Sequence, residues 1–230
     1  MASMIFLALS VMLAYLVGSL PTSFLMAKAL RGIDIRQVGS KNAGATNVLR
    51  SVGKVPALIT LIVDILKGVF VVTILANLLY PHVEDLDFDF YRSFLGLVAV
   101  CGHIWPAWLK FKGGKGVATT LGVAIGLAPI VLLPSVVIWL AIFFMTNYVS
   151  LASIAALMAF PIVAIMFNQS IYLVLVSVAI CSISVSKHRN NITRLLKGQE
   201  NKTVLFKKGA RGSRPDSGEG RDRQGPGSIG

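Results

Sequence analysis

Charge is scarce in this sequence. Of its 230 residues, 14% are charged, against roughly 25% in an ordinary soluble domain. With 55% hydrophobic residues, much of the surface must face lipid rather than water, which excludes a water-soluble globular enzyme. Acidic residues are scarcer still. There are 10 Asp and Glu against 22 Lys and Arg, a formal net charge of +12. Such a balance fits nucleic acid, an anionic membrane surface or anionic substrates, and the placement of the charges has to choose among them. Only two cysteines occur, Cys101 and Cys181, both inside apolar runs. Without a CxxC or a Cys/His cluster they exclude a structural zinc site and a disulfide framework, and they read as packing residues. The first 27 residues hold no Lys or Arg, so they lack the basic start of a secretory signal and are expected to remain as a first span.

What is present is long apolar runs. A run at 4–27 contains Gly18, Ser19 and Pro21, a second covers 55–80, and a third covers 93–109. Each suits one crossing, which takes roughly 20 residues. Between the second and third lies an acidic loop at 81–92. Residues 117–186 hold no Asp, Glu, Lys, Arg or His at all. Breaks at Pro129 and Pro134, at Asn147 to Ser150, and at Asn168 to Ser170 divide that stretch into pieces near 117–133, 134–147, 151–167 and 170–186. The second piece is short, so it is tilted, partly re-entrant, or extends past the cut.

Basic residues orient these spans. Twenty of the 22 fall in three segments, 28–54, 110–116 and 187 onward; the exceptions are Lys67 and Arg92. The three basic segments are expected in the cytoplasm, and the N-terminus and the acidic loop outside. Lys115 and Lys187 then share a side, so an even number of spans separates them, and four fit the length better than two. The expected fold is an all-α, polytopic transmembrane helical bundle of about seven spans, or five if some cuts are wrong. Residues 1–205 form its single membrane-embedded domain. Residues 206–230, rich in Gly, Ser, Pro and Arg, form a disordered basic tail. Charge placed this way points to membrane lipid and anionic substrates and not to nucleic acid.

Each basic segment carries a polar cluster. The first, GSKNAGATNVLR from Gly39 to Arg50, gathers Ser40, Asn42, Thr46, Asn47 and Arg50 around glycines whose small size lets backbone N–H groups approach an anion. As an alternative it is an ordinary polar loop. The second, KFKGGKGVAT from Lys110 to Thr119, sets Lys115 among Gly113, Gly114 and Gly116 just before an apolar helix. A helix N-terminus with a lysine makes an anion site, although the spacing is not that of a Walker A loop; a basic membrane anchor is the plainer reading. The third, KHRNNITRLLKGQE from Lys187 to Glu200, contains His188 and, three residues on, Asn191. His188 suits proton transfer near neutral pH, or serves as a polar cap. Asp64 and Lys67 lie within the second span, one turn apart, and can pair as a functional or a supporting charge pair. The pattern His82-x4-Asp87 matches one used by glycerolipid acyltransferases, but it falls in the outer loop, across the bilayer from the basic clusters, and reads as chance.

Four stretches together resemble the bacterial acyl-phosphate:glycerol-3-phosphate acyltransferase family, PlsY. They are GSLPTSFLMAK (Gly18 to Lys28), GIDIRQVGSKNAGATNVLR (Gly32 to Arg50), GHIWPAWLKFKGGKGVAT (Gly102 to Thr119) and HRNNITRLLKGQE (His188 to Glu200). The likeness runs over about residues 1–205; Lys41 stands where the family commonly has Gly. The resemblance implies transfer of a fatty acyl group from acyl phosphate to the 1-hydroxyl of glycerol 3-phosphate. The products are lysophosphatidic acid and phosphate, in the first acylation of bacterial phospholipid synthesis. It implies no cofactor, no metal, no acyl-CoA donor, and action after an enzyme that makes acyl phosphate. It places the protein in the bacterial cytoplasmic (inner) membrane with the active site on the cytoplasmic side. Ser40, Arg50, Lys115, His188 and Asn191 are then expected to be catalytic. Asn42, Thr46, Asn47, Gly113, Gly114 and Gly116 are expected to bind substrate. Whether His188 or a substrate phosphate takes the hydroxyl proton stays open. The main rival is a transporter of phosphate or organic phosphates, which needs a polar path across the bilayer. A metal-dependent phosphatidyl transferase needs clustered inner aspartates, and Asp34 is the only one in the inner loops before the tail.

Overall fold

The computed structural model describes residues 1–83 and 85–203. Among them there is no strand, and the chain is a bundle of helices. The helices are α1 (Ala2–Gly18), α2 (Thr22–Arg31), α3 (Ala45–Ser51), α4 (Lys54–Phe70), α5 (Ala76–Leu79), α6 (Phe88–Ile104), α7 (Val117–Leu127), α8 (Pro129–Thr146), α9 (Val149–Met166), α10 (Ile171–Lys187) and α11 (Arg189–Leu196). A π-helical turn, Val71–Leu75, joins α4 to α5. Four stretches are long and apolar enough to cross a membrane: Ala2–Arg31, Lys54–His82, Pro129–Thr146 and Val149–Met166. The pair α10 and α11, bent by 59°, makes a fifth if taken as one. The chain is thus a polytopic all-helical membrane protein. Its outer faces carry Leu133, Phe144, Ile162 and Ile171, all exposed in the isolated chain, as a lipid-facing surface requires.

Local chemistry explains where the helices start and stop, and it moves several expected boundaries. The first run is broken at Ser19 to Pro21 into α1 and α2, because Pro21 lacks the N–H that would continue the helix. Helix α6 begins at Phe88 rather than 93, inside the supposed loop, since the Asp87 carboxylate accepts the Phe90 N–H at 2.9 Å and caps it. It ends at Ile104, not 109. In the long uncharged stretch the break is at Ala128 and not at Pro134. Pro129 takes the first turn of α8, where its missing N–H costs nothing. Pro134 lies within α8, as membrane helices allow. The piece that looked short is therefore a helix of 18 residues, and α7, at 11, is the short one. The breaks near Asn147 and Asn168 fall where expected, and both asparagines are left-handed. The tail at 206–230 lies outside the described residues.

Helix α6 runs through the middle. Tyr91, Leu95, Ala99, Val100 and Ile104 are buried against α1, the π-helical turn and α10. Two pairs of helices approach to backbone contact. A Cβ on Gly18 would strike the Ala99 backbone, and one on Gly122 would strike Ile65 O. These close crossings follow from the lack of a hydrophobic drive between helices in lipid, which leaves van der Waals packing of small residues to hold them. The His82 and Asp87 side chains are occupied elsewhere. His82 stacks on Phe6 at 4.3 Å, and Asp87 caps α6.

Candidate active site

One end of the bundle collects the polar residues. Loop 32–53 is organised around Asn47, which is fully buried. Its amide nitrogen lies within 3.1 Å of the carbonyls of Ile35, Val38 and Asn42, and its oxygen accepts the Ser40 N–H at 3.0 Å. This side chain is consumed in shaping the loop. Ser40 and Thr46 are half-buried, as is Asn42, and their side chains make no hydrogen bond to Lys115, His188 or Asn191. Lys41, with φ of 57°, sits in the left-handed conformation that glycine adopts freely. Asp34 pairs with Arg36 at 2.7 Å, and Arg36 Nη1 donates to Leu109 O at 2.8 Å, which ties this loop to the next.

The second loop turns back on α6. The Gly113 N–H donates to Ile104 O and the Gly114 N–H to His103 O, both at 3.1 Å. Neither amide is therefore left for an anion. Gly116, at φ of 85°, caps α7. A side chain there would press on Val100 and Ser184. Lys115 stands between these turns and the helix, and its ammonium donates to Asn191 Oδ1.

The third segment supplies the partners. His188, only 2% exposed, has Nδ1 at 2.8 Å from Ser184 O. A carbonyl can only accept, so Nδ1 carries the hydrogen and Nε2 keeps its lone pair. Asn191 accepts from Lys115 through its oxygen and donates from Nδ2 to Glu200 Oε1 at 2.7 Å. Glu200 also accepts from Ser150 Oγ at 3.0 Å and from Arg194 Nε at 2.7 Å. Arg50 reaches over to the segment after α11, where its Nη2 donates to Asn201 O at 3.0 Å and Thr203 Oγ1 at 2.7 Å.

Of the expected site residues, Lys115 and Asn191 are brought into direct contact, and His188, one turn from Asn191, lies close enough for the Lys115 charge to act on it. Arg50 comes near enough to depress the Lys115 pKa by repulsion, while the Ser40, Asn42 and Thr46 side chains make no hydrogen bond to any of these groups. Sequence reasoning missed Glu200, Ser150, Thr203 and His103. Glu200 did leave a trace, as the lone acid between positions 187 and 215. Ser150 stood in a polar step already used as a span boundary.

The electrostatics suit an anion. Arg50, Lys115 and Arg194 surround the single carboxylate of Glu200, an excess of positive charge in a partly dry site. Burial lowers the Lys115 pKa to about 8, with repulsion from Arg194 and Arg50 added and attraction to Glu200 opposing. Lys115 is thus cationic at pH 7 but less firmly than a surface lysine. Burial and the Lys115 charge lower His188 to about 4, so its imidazole is neutral and offers Nε2 as an acceptor. Desolvation raises the Glu200 pKa, but hydrogen bonds from Arg194, Asn191 and Ser150 outweigh it and hold the carboxyl below its ordinary value. No group of three or more potential metal ligands forms among the described residues.

Comparison with known proteins gives the same class. The family model described as "Glycerol-3-phosphate acyltransferase" matches residues 8–198. The glycerol-3-phosphate acyltransferase of Desulforamulus reducens is 44% identical over 187 residues, covering 81% of this chain and 90% of the relative. That of Geotalea daltonii is 45% identical over 188 residues, covering 82% and 93%. Among solved structures, the glycerol 3-phosphate form of PlsY (YgiH), an integral membrane glycerol 3-phosphate acyltransferase, superposes with a TM-score of 0.78. It is 37% identical and covers 86% of this chain and 96% of its own. The lysophosphatidic acid form superposes at 0.74, with 36% identity and coverage of 86% and 95%. With a matching family model across most of its length and relatives above two-fifths identity, this chain belongs to the glycerol-3-phosphate acyltransferase family.

Proposed function

We propose that this membrane acyltransferase moves a fatty acyl group from acyl phosphate to the 1-hydroxyl of glycerol 3-phosphate, at the cytoplasmic face of the bacterial inner membrane. The observation that carries the reading is the chain of contacts from Lys115 through Asn191 to Glu200, beside the free Nε2 of His188. Both substrates carry phosphate, and acyl phosphate is an activated mixed anhydride with a good leaving group. The protein has mainly to position two anions and neutralise charge as it shifts. No cofactor enters this chemistry. The 1-hydroxyl oxygen attacks the acyl carbonyl carbon, the C–O bond to phosphate breaks, and inorganic phosphate leaves.

Lys115 and Arg50 hold the substrate phosphates, with Ser40, Asn42, Thr46 and the Lys115 and Gly116 amides assisting. Asn191 and His188 orient glycerol 3-phosphate, and His188 Nε2 accepts a hydrogen bond from the attacking hydroxyl. A histidine with a pKa near 4 is a weak proton acceptor at pH 7, so a substrate phosphate oxygen is the better final holder of the proton. Asn47, Gly113 and Gly114 act by shaping the loops, through their engaged amides, and not by touching substrate. The donor itself comes from an upstream enzyme that phosphorylates a free fatty acid or phosphorolyses an activated acyl thioester.

Seven passes with the N-terminus outside fit the contacts at the polar end. The end of α1 meets that of α6 through Tyr15 Oη donating to Trp105 O. The end of α6 meets the start of α7, which meets α11 through Asn191. Asn147 after α8 and Ser150 in α9 bond to Thr203 and Glu200. The Arg31 guanidinium bonds to Val52 O beside the start of α4. Ends and starts thus alternate at one face. Residues 1–205 are read as one membrane-embedded domain, a reading supported by the packing of the described helices into a single bundle.

The test is to assay purified Arg50→Ala, Lys115→Ala and His188→Ala with palmitoyl phosphate and glycerol 3-phosphate. Each is expected to lose on the order of 100-fold in kcat/KM. Wild-type rates in all three would remove the site assignment.

A further inference from the structure

Asp64, Lys67 and His103 have no part in that reaction, yet they form the most deeply buried charged group among the described residues. Lys67 Nζ lies 2.8 Å from Asp64 Oδ1, 2.9 Å from His103 Nδ1 and 3.3 Å from Leu20 O. All three side chains are less than one-tenth exposed. An ammonium can only donate, so His103 Nδ1 accepts and its hydrogen resides on Nε2. That edge of the ring lies directly under the glycine loop, and a Cβ on Gly114 would collide with Nε2. The backbone of the same histidine accepts the Gly114 N–H. A small pocket of mixed polar and apolar lining beneath the loop includes Ser19, Thr22, Asp64, His103, Gly113 and Gly114, and the Ser19 and Thr22 hydroxyls in it have no partner.

Burying an ion pair costs several kcal/mol per ion before attraction is counted. Apolar side chains of the same volume would join α4 to α6 without that cost. What they could not supply is a directional hold on an imidazole ring. We propose that the Asp64–Lys67–His103 network is a positioning device for the Gly113–Lys115 loop: Lys67 fixes the plane and tautomer of His103, and His103 sets where the loop, and hence Lys115, stands. Asp64 and Lys67 belong to α4, His103 to α6, and Leu20 to the break between α1 and α2. The network therefore ties two helices and the α1–α2 break to the residue that meets the substrate phosphate. These are positioning residues, since none of them bonds to Lys115, whose ammonium donates to Asn191.

The inference rests on the role given to Lys115 above. Its test uses the purified full-length protein. Lys67→Met alone leaves a buried unpaired carboxylate and risks misfolding, so the main variant is the double Lys67→Met, Asp64→Leu, with His103→Ala and His103→Gln beside it. Thermal unfolding and size-exclusion report folding. The expected result is a folded double variant whose kcat/KM falls on the order of 100-fold, the size of loss a displacement near 1 Å produces. His103→Ala should behave alike, and His103→Gln, which still offers Lys67 an acceptor, should recover part of the loss.

A second readout separates positioning from plain stability. The groups facing Lys115 are Asn191, Glu200, Arg50, Arg194 and His188. If the loop shifts outward, Lys115 gains water and the alkaline limb of kcat/KM moves up from about pH 8. A folded double variant with wild-type kcat/KM and an unmoved limb would overturn the proposal. So would activity lost only in proportion to folded protein. If Lys115→Ala is fully active, the functional reading fails first. If Lys115→Ala is inactive while the double variant is wild type, only the positioning role fails.

Discussion

Removing the Glu200 carboxylate should loosen the site before it alters the chemistry. Glu200 joins three segments: Oε1 accepts from Asn191 Nδ2 and Ser150 Oγ, and Oε2 accepts from Arg194 Nε. Glu200→Ala leaves the Asn191 and Ser150 donors buried and unpaired, at about 1–3 kcal/mol each. The Arg194 pair adds about 0–1 kcal/mol, because its side chain is 31% exposed. The sum is about 4 kcal/mol, a large part of a stability of roughly 5–15 kcal/mol. Glu200→Gln keeps an oxygen for Asn191 and Ser150 but turns an amide toward Arg194, so about 1–2 kcal/mol is lost. Thermal midpoints in detergent should fall in the order wild type, Gln, Ala. Asn191 is oriented by donating to Glu200 and accepting from Lys115. In the Ala variant that acceptor is gone and the Asn191 amide is free to flip, so the folded fraction should also be slower, on the order of tenfold. Linkage adds a signature. The Glu200 pKa is lowered in the fold, so its contribution is complete above the ordinary value of 4.5 and is lost as pH falls through the lower folded value. Glu200→Gln should lack that acid sensitivity. The rate is read as phosphate released from palmitoyl phosphate in the presence of glycerol 3-phosphate. A Glu200→Ala protein with wild-type midpoint and rate would refute the reasoning.

Further outcomes follow from single contacts. Because Lys115 has a pKa of about 8, kcat/KM should decline above that pH, and Lys115→Arg, if active, should carry the decline to higher pH. Thr203→Val removes the Oγ1 that holds Arg50 at 2.7 Å; KM for the phosphate substrates should change a few-fold with kcat nearly constant, consistent with a net value near 1 kcal/mol for one hydrogen bond. Lys41→Gly relieves a left-handed non-glycine residue and should raise the thermal midpoint, by a free energy of about 1 kcal/mol. Gly122→Ala should lower it by more, since the added methyl meets the Ile65 carbonyl on α4, and the loss should appear in unfolding with KM unchanged.

The regions of the site differed in how far they could be read in advance. Lys115 was legible because a lysine among three glycines ahead of an apolar helix is a local pattern, and Asn191 because it lies three residues from His188. The Asp64–Lys67 pair was legible from i, i+3 spacing. Asn47 was read as a substrate ligand because side-chain type alone cannot say whether an amide turns outward or into its own loop. Gly113 and Gly114 were read as anion donors for the same reason, and their amides are engaged by carbonyls of α6. Helix ends at Asn147 and Asn168 were marked by polar residues. The end of α7 was missed because two prolines competed, and only the one in a first turn begins a helix.

By itself the sequence determined that this chain lives in lipid, that its cations gather in three segments, and that the first two of those segments carry glycine-rich polar clusters. These follow from composition and order, since the cost of burying charge in hydrocarbon acts on each residue separately. Only the tertiary structure decided which groups meet. Lys115 and Asn191 are 76 positions apart, Ser150 and Glu200 50 apart, and Lys67 and His103 36 apart. Their contacts depend on helix rotation and on the backbone approach at Gly18, Gly68 and Gly122. Hydrogen bonds act over about 3 Å, and placement that fine is a property of the packed bundle, not of any one segment.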